Sequence, residues 1–301
     1  MANTNYANYE DYKKEVIRRL ENILGSGYVV ELVVLMENNG LKEGVKIAPR
    51  REGETGLVVH LSQWYEEKTP IETVIKKILG LLERIEKDQQ KFSWLEDFEV
   101  VRPKLRIRLM NTESNQELLA EVAHSEIPGL DLSTVCYIDV GTTSDGVNMT
   151  SNVLRDLCDK WNIAEKELCR IAFANTVNEL PAVSFSISEI LCGSFDDFMY
   201  VVTNTTRFLG ATACLYPGVL NEVSDKLFGA DLVIFPSSVH EVIIVPYLNT
   251  SAESICEYAD MVSGINEKKV DRQDRLSNSV YVYRRETGKL SILMKGDATL
   301  L

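Results

Sequence analysis

Apolar residues recur along this chain at two periods, and the switches between them mark out its elements. Residues 9–24, YEDYKKEVIRRLENIL, place Tyr9, Tyr12, Val16, Leu20 and Ile23 at steps of three and four. That spacing predicts the apolar face of a helix, which Gly25 and Gly27 end. VVELVVLMENNGLKEGVKIAP reads as two strands around Asn39-Gly40, residue types that supply the positive φ angles of a tight turn. LVVHL reads as a third strand. Thr69-Pro70-Ile71-Glu72 predicts a capped helix start. The helix runs to about Lys87, with Ile71, Val74, Ile75, Ile78, Leu82 and Ile85 inward.

KDQQKFSWLEDFE is a polar break, and a soft boundary is placed at 88–100. RPKLRIRLMN follows, with Lys104, Arg106 and Arg108 alternating with Leu105, Ile107 and Leu109. Its charged face predicts the outward side of an edge strand. CYIDV reads as a strand, with DGVNM returning beside it, and helices are expected at about 151–161 and 164–178. In the last third, DFMYVVTN and ATACLY read as strands, and PGVLNEVSDKLFG as a helix. DLVIF and EVIIVP read as a hairpin. Thr250-Ser251-Ala252-Glu253 opens a helix, and SVYVY and KLSILM form a last pair across Thr287-Gly288. Consecutive strand pairs followed by helices predict an α+β fold with mainly antiparallel sheets and packed helices, in two or three subdomains. The expected regions are 1–95, 96–190 and 191–301.

Composition narrows the class. Of 301 residues, 45% are apolar and 26% charged, an ordinary globular mix. No apolar run reaches the roughly 18 residues of a membrane span, and the start, MANTNYANYEDYKKE, has no signal-peptide pattern. A cytoplasmic protein without membrane contact is expected. Six cysteines stand at least eleven residues apart, mostly among apolar neighbours, which predicts buried free thiols and no zinc ribbon. The net charge of −13 is uneven: residues 111–270 hold 8 Lys/Arg against 23 Asp/Glu, whereas 1–110 hold 18 of each. An acidic middle disfavours nucleic acid.

Five stretches carry a resemblance: VHLSQWYEE (59–67), RIRLMNTESNQELLAEVAHSEIPGLDL (106–132), LCRIAFANT (168–176), VVTNTTRFLGATACLYPGVL (201–220) and VIFPSSVHEVIIVP (233–246). Together they resemble an uncharacterised bacterial family of about this length, classed as a domain of unknown function. The resemblance spans nearly the whole chain. It implies one continuous bacterial protein and no particular mechanism.

Candidate chemistry is sparse. There is no G-x-x-x-x-G-K-[ST], no G-x-G-x-x-G after a strand and no G-x-S-x-G. His240-Glu241 has no second histidine four residues on, so a zincin grip is ruled out. No cofactor and no metal are expected. The histidines are His60, His124 and His240. Pro236-Ser237-Ser238-Val239-His240-Glu241 gathers two hydroxyls, an imidazole and a carboxylate between two apolar runs. Its first reading is a hydroxyl-capped turn opened by proline. The alternative is a hydrolase site with Ser237 or Ser238 as nucleophile and His240 as base, Ser238 and His240 sharing a strand face and a carboxylate such as Asp131 behind the imidazole. Asn204, Arg207 and His124 are candidate ligand or partner contacts, with a salt bridge in the acidic segment as the plainer expectation for Arg207. The overall reading is a binding or accessory protein whose partner is a protein or a small molecule, with the small hydrolase as the alternative.

Overall fold

Helices and strands interleave along the chain in two units. One holds residues up to Glu37 and Leu41–Leu95. The other holds Asn38–Gly40 and Glu96 onward. The computed structural model describes residues 8–50, 56–92, 95, 97–142, 148–187, 198–236, 238–247, 264, 266–268 and 270–293. Ser237, Cys192, Cys256 and the helix expected from Thr250 lie outside the described residues, as does the side chain of Ile85.

The first unit contains α1 (Tyr9–Leu24), β1 (Tyr28–Glu37), β2 (Gly40–Pro49), β3 (Leu57–Val59), α2 (Ser62–Glu66) and α3 (Ile71–Phe92). The sheet order is β1-β2-β3. Asn39 and Gly40 carry the positive φ values of the tight turn, 62° and 141°. Tyr12, Val16 and Leu20 of α1 pack with Ile71, Val74, Ile75, Ile78 and Leu82 of α3 over Val45, Ile47 and Val59. Ile23, expected inward, is 56% exposed, while Leu20 and Leu24 on either side of it pack into this core. The Asn8 side chain caps α1 by accepting from the Asp11 N–H at 2.9 Å. At the start of α3 the expected capping box gives way to other pairings. The Thr69 hydroxyl donates to Glu67 (3.5 Å), and Glu72 pairs with Arg19 (2.9 Å).

The second unit adds α4 (Phe98–Val101), β4 (Leu105–Asn111), α5 (Gln116–Glu121), β5 (His124–Glu126), β6 (Leu132–Thr142), β7 (Asn148–Asn152), α6 (Arg155–Lys160) and α7 (Glu165–Glu179). It continues with β8 (Ala182–Ser186), β9 (Tyr200–Asn204), α8 (Val219–Lys226), β10 (Leu232–Phe235), β11 (Val242–Pro246), β12 (Tyr281–Arg284) and β13 (Lys289–Ile292). β6 pairs with β4 on one side and with β5 and β7 in succession on the other. The larger sheet runs β13-β12-β10-β11-β9-β8, and every pairing in it is antiparallel. The fold is therefore α+β, with antiparallel sheets and packed helices. Leu109, Leu132 and Tyr137 of the smaller sheet share a core with Val202, Ile234, Val242, Ile244 and Tyr281 of the larger. Val233, Phe235 and Val282 belong to a second cluster with Tyr247 and Leu293. With apolar clusters on both faces, β10 reads as an unbroken apolar run instead of an alternation. Among the described residues, no helix is long and apolar enough to cross a membrane.

Two expectations are corrected here. β4 is an edge strand, but its outer rim is covered: Thr176 of α7 accepts the Ile107 N–H (2.9 Å), and Asn175 donates to Leu105 O (3.2 Å). Arg106 is accordingly buried, 8% exposed, and donates to the carbonyls of Pro103 (2.7 Å) and Leu105 (2.9 Å). A helix laid over an edge satisfies its backbone groups, so the charged side chains are not needed as an outward guard. ATACLY is not a strand. Gly210–Leu215 form a 3-10 turn whose residues Gly210, Ala211, Thr212, Ala213 and Cys214 are all buried. Small side chains let this turn pass through the core, and burial on every side leaves no strand-like alternation.

One polar knot sits in this core. Asp131, at the start of β6, accepts from Tyr281 Oη (2.5 Å), Ser277 Oγ (2.7 Å), Ser279 Oγ (3.0 Å) and Asn111 Nδ2 (3.2 Å). Burial, followed by the Asp131 charge, pushes the Tyr281 phenol far up from its ordinary value.

Candidate functional site

Residues 236–241 connect β10 to β11, whose register pairs Phe235 with Ile243. The connection is held from below by residues 274–277. The Val239 N–H donates to Asp274 O (2.8 Å), the Ser277 N–H donates to Pro236 O (2.9 Å), and Ser238 bridges to Arg275. Within it the Ser238 hydroxyl accepts the His240 backbone N–H at 3.0 Å. This local loop closes the turn, as serine side chains do when they bond the backbone two residues on.

A second connection faces the first. β9 pairs with β11 through Val202 and Val242, and the ladder stops there. The Thr203 hydroxyl continues it by donating to His240 O at 2.7 Å. Residues 204–209 then fold back tightly. Asn204 is buried, and its Oδ1 accepts from Thr206 N (3.1 Å) and Thr206 Oγ1 (2.9 Å), while its Nδ2 donates to Phe208 O (2.9 Å). Arg207 and Leu209 both sit in the left-handed region, at φ 56° and 53°. For a bulky side chain such as leucine this conformation is rare and costs about 1–3 kcal/mol.

His240 joins the two connections. Its Nδ1 accepts the Leu209 N–H at 3.2 Å, its Nε2 lies 3.4 Å from Asp274 Oδ1, and its ring is 5.8 Å from that of Phe208. An acceptor Nδ1 fixes the neutral ring as the Nε2–H tautomer, which donates toward Asp274. A nucleophile–base pair needs one imidazole nitrogen on the orienting carboxylate and the other on the hydroxyl. Here the second nitrogen is on a backbone amide, and the bond between Ser238 and His240 runs from backbone to hydroxyl. The carboxylate beside the imidazole is Asp274, and Asp131 is engaged in its own knot. Glu241 is exposed and forms no hydrogen bond or ion pair among the described residues. Arg207 is also exposed. Its guanidinium lies 5.3 Å from the Phe185 ring centroid, and it pairs with no carboxylate among the described residues. The salt bridge expected for it is not formed with any of the described residues.

His124 belongs to a different group. Its Nδ1 lies 3.1 Å from Val122 O and 3.3 Å from Arg155 Nη2. Its backbone N–H donates to Glu165 Oε1 (2.8 Å), which also lies 3.5 Å from Arg155 Nε. His60, in the first unit, contacts Glu43 O through Nδ1 (2.9 Å) and Glu37 Oε1 through Nε2 (2.8 Å). Burial pushes the Glu37 carboxyl up, but bonding to His60 and Lys42 outweighs this and holds it below its usual value. Among the described residues, no group of three or more His, Cys, Asp or Glu side chains is arranged to hold a metal ion.

Asp274, Leu209 and Phe208 had no signal in the sequence. They lie 31 to 34 residues from His240, and neither Gly nor Asn marks the left-handed backbone. Comparison with curated proteins and with solved structures finds no match. Residues 9–285 match the family of unknown function DUF5688, and the chain belongs to that family.

Proposed function

We propose that this chain is a cytoplasmic bacterial binding or accessory protein, and that the connection 204–209 is its contact element. The observation behind this reading is the seating of that connection on His240. The Leu209 N–H takes the imidazole nitrogen that a catalytic base would need free. Backbone held at Arg207 and Leu209 in a costly conformation is a known mark of functional surfaces. Here it presents Thr205, Thr206 and Arg207 to solvent. Arg207 stands in a strongly acidic stretch without a carboxylate partner among the described residues, so its charge is available to an anionic group of a protein or small molecule. In this reading His240 and Asp274 are anchors, and the hydrolase alternative with Ser237 or Ser238 is set aside.

The test is co-purification of the tagged full-length chain from its native host, read by mass spectrometry. Wild type, Arg207→Glu and His240→Ala are compared, with ester and amide probes run on the same preparations. A bound species retained by wild type and lost from Arg207→Glu, with no turnover that depends on His240, is the expected result. Probe turnover abolished by His240→Ala, or a partner held equally by Arg207→Glu, would overturn the reading.

A further inference from the structure

The second unit gathers three reduced, buried thiols where β6 meets the helices α6 and α7: Cys136, Cys158 and Cys169. Two of them touch. The Cys136 thiol donates to the Cys169 sulfur across 3.2 Å, although the residues are 33 apart in sequence. We propose that Cys136 and Cys169 are an oxidisable pair that closes to a disulfide when the protein meets a hydroperoxide, tying β6 to α7. A disulfide bond is about 2.05 Å long, so the sulfurs need to approach by roughly 1 Å. Their direct contact makes that approach a short one.

The geometry also assigns the roles. Cys169 is 7% exposed and Cys136 is 0% exposed, so the oxidant reaches Cys169 first. The hydrogen bond from Cys136 holds the Cys169 thiol below its ordinary value, while the same bond and then burial push Cys136 well up. Cys158 is pushed up to about 11 by burial, so Cys169 is the most readily deprotonated thiol of the three. In the first step the Cys169 sulfur attacks one peroxide oxygen. An S–O bond forms, the O–O bond breaks, and the departing oxygen leaves as water or an alcohol after protonation. In the second step the Cys136 sulfur attacks the Cys169 sulfenic acid. The S–S bond forms, the S–O bond breaks, and the hydroxide leaves as water with the Cys136 proton. Both thiols are oxidised by one electron each, and the peroxide is reduced by two. A thiol reductant reverses the change by exchange.

The experiment titrates the full-length protein with hydrogen peroxide. Remaining thiols are alkylated in denaturant, and unreduced peptides are mapped by mass spectrometry. The expected product is a Cys136–Cys169 linked peptide that has lost two hydrogen atoms and is restored by dithiothreitol. Cys158→Ser should leave the link intact. Cys136→Ser should abolish it and leave Cys169 as a sulfenic acid trapped by dimedone. Where Cys136→Ser does not fold, the wild-type map alone decides. A link from Cys169 to Cys158, Cys192 or Cys256 would overturn the proposal. So would a pair that stays fully alkylated at peroxide levels that oxidise the other cysteines.

Discussion

Asp131→Ala is expected to lower the stability of the second unit by about 3 kcal/mol or more, since each hydrogen bond to a charged group contributes roughly 1.5–3 kcal/mol. The carboxylate takes four donors, and one of them, Tyr281, is almost fully buried. Removing it strands a phenol in an apolar core. Water entering beside the half-buried Asp131 repairs the serines and Asn111 better than it repairs Tyr281. Asp131→Asn keeps the shape and one acceptor, so about half that loss is expected. Urea unfolding checks both, as a drop in midpoint at unchanged slope. The phenol adds a pH signature. Its folded pKa is raised by burial and by Asp131 above the unfolded value of about 10. Above pH 10 the unfolded chain therefore binds fewer protons than the folded one, and stability falls as pH rises. Tyr137 and Tyr216, each pushed up to about 12 by burial, contribute over the same interval. Tyr281→Phe is expected to flatten this alkaline limb without removing it.

Gly210→Ala is the second large effect. A Cβ at Gly210 would meet the Thr203 hydroxyl, and would lie 2.6 Å from Asn204 N and 2.7 Å from His240 O. Two of these neighbours are backbone atoms that cannot rotate away. The methyl can be accommodated only if the turn at Gly210–Leu215 withdraws from the β9–β11 junction. The Leu209 bond to His240 and the Ala211 N–H bond to Val239 O (3.2 Å) would then be lost. A cost on the order of 3 kcal/mol is expected for such overpacking against backbone. Calorimetry gives the stability, and amide exchange at Leu209 and Ala211 shows whether the connection has lifted.

The long elements were legible because their patterns are strong. α1 and α3 carry apolar faces at helical spacing, and the β10–β11 and β12–β13 pairs are apolar runs around turn residues. The short strand β8 was not read, because AVSFS alternates over only five residues. ATACLY was misread because small apolar residues look the same in a strand and in a buried 3-10 turn. Arg106 looked like a solvent guard because the sequence does not show that α7 lies over the rim of β4. The site was half legible. In PSSVHE the Ser238 hydroxyl closes a local loop with the His240 N–H, but the imidazole's partners come from elsewhere. Asp274 and Leu209 reach His240 only through the pairing of β9, β11 and the 274–277 segment. Asp131, a candidate carboxylate for the imidazole, instead serves Tyr281, 150 residues away.

In the proposed reading His240 is a seat for the connection 204–209 and not a catalytic base. Imidazole nitrogen chemical shifts of the labelled full-length protein at neutral pH test it most directly, with His240 assigned by the loss of its signals in His240→Asn. The expected result is the Nε2–H tautomer, with an unprotonated, hydrogen-bonded Nδ1 that shifts when Gly210→Ala lifts the connection. A ring protonated at Nδ1, or one averaging freely between tautomers and indifferent to Gly210→Ala, would contradict it.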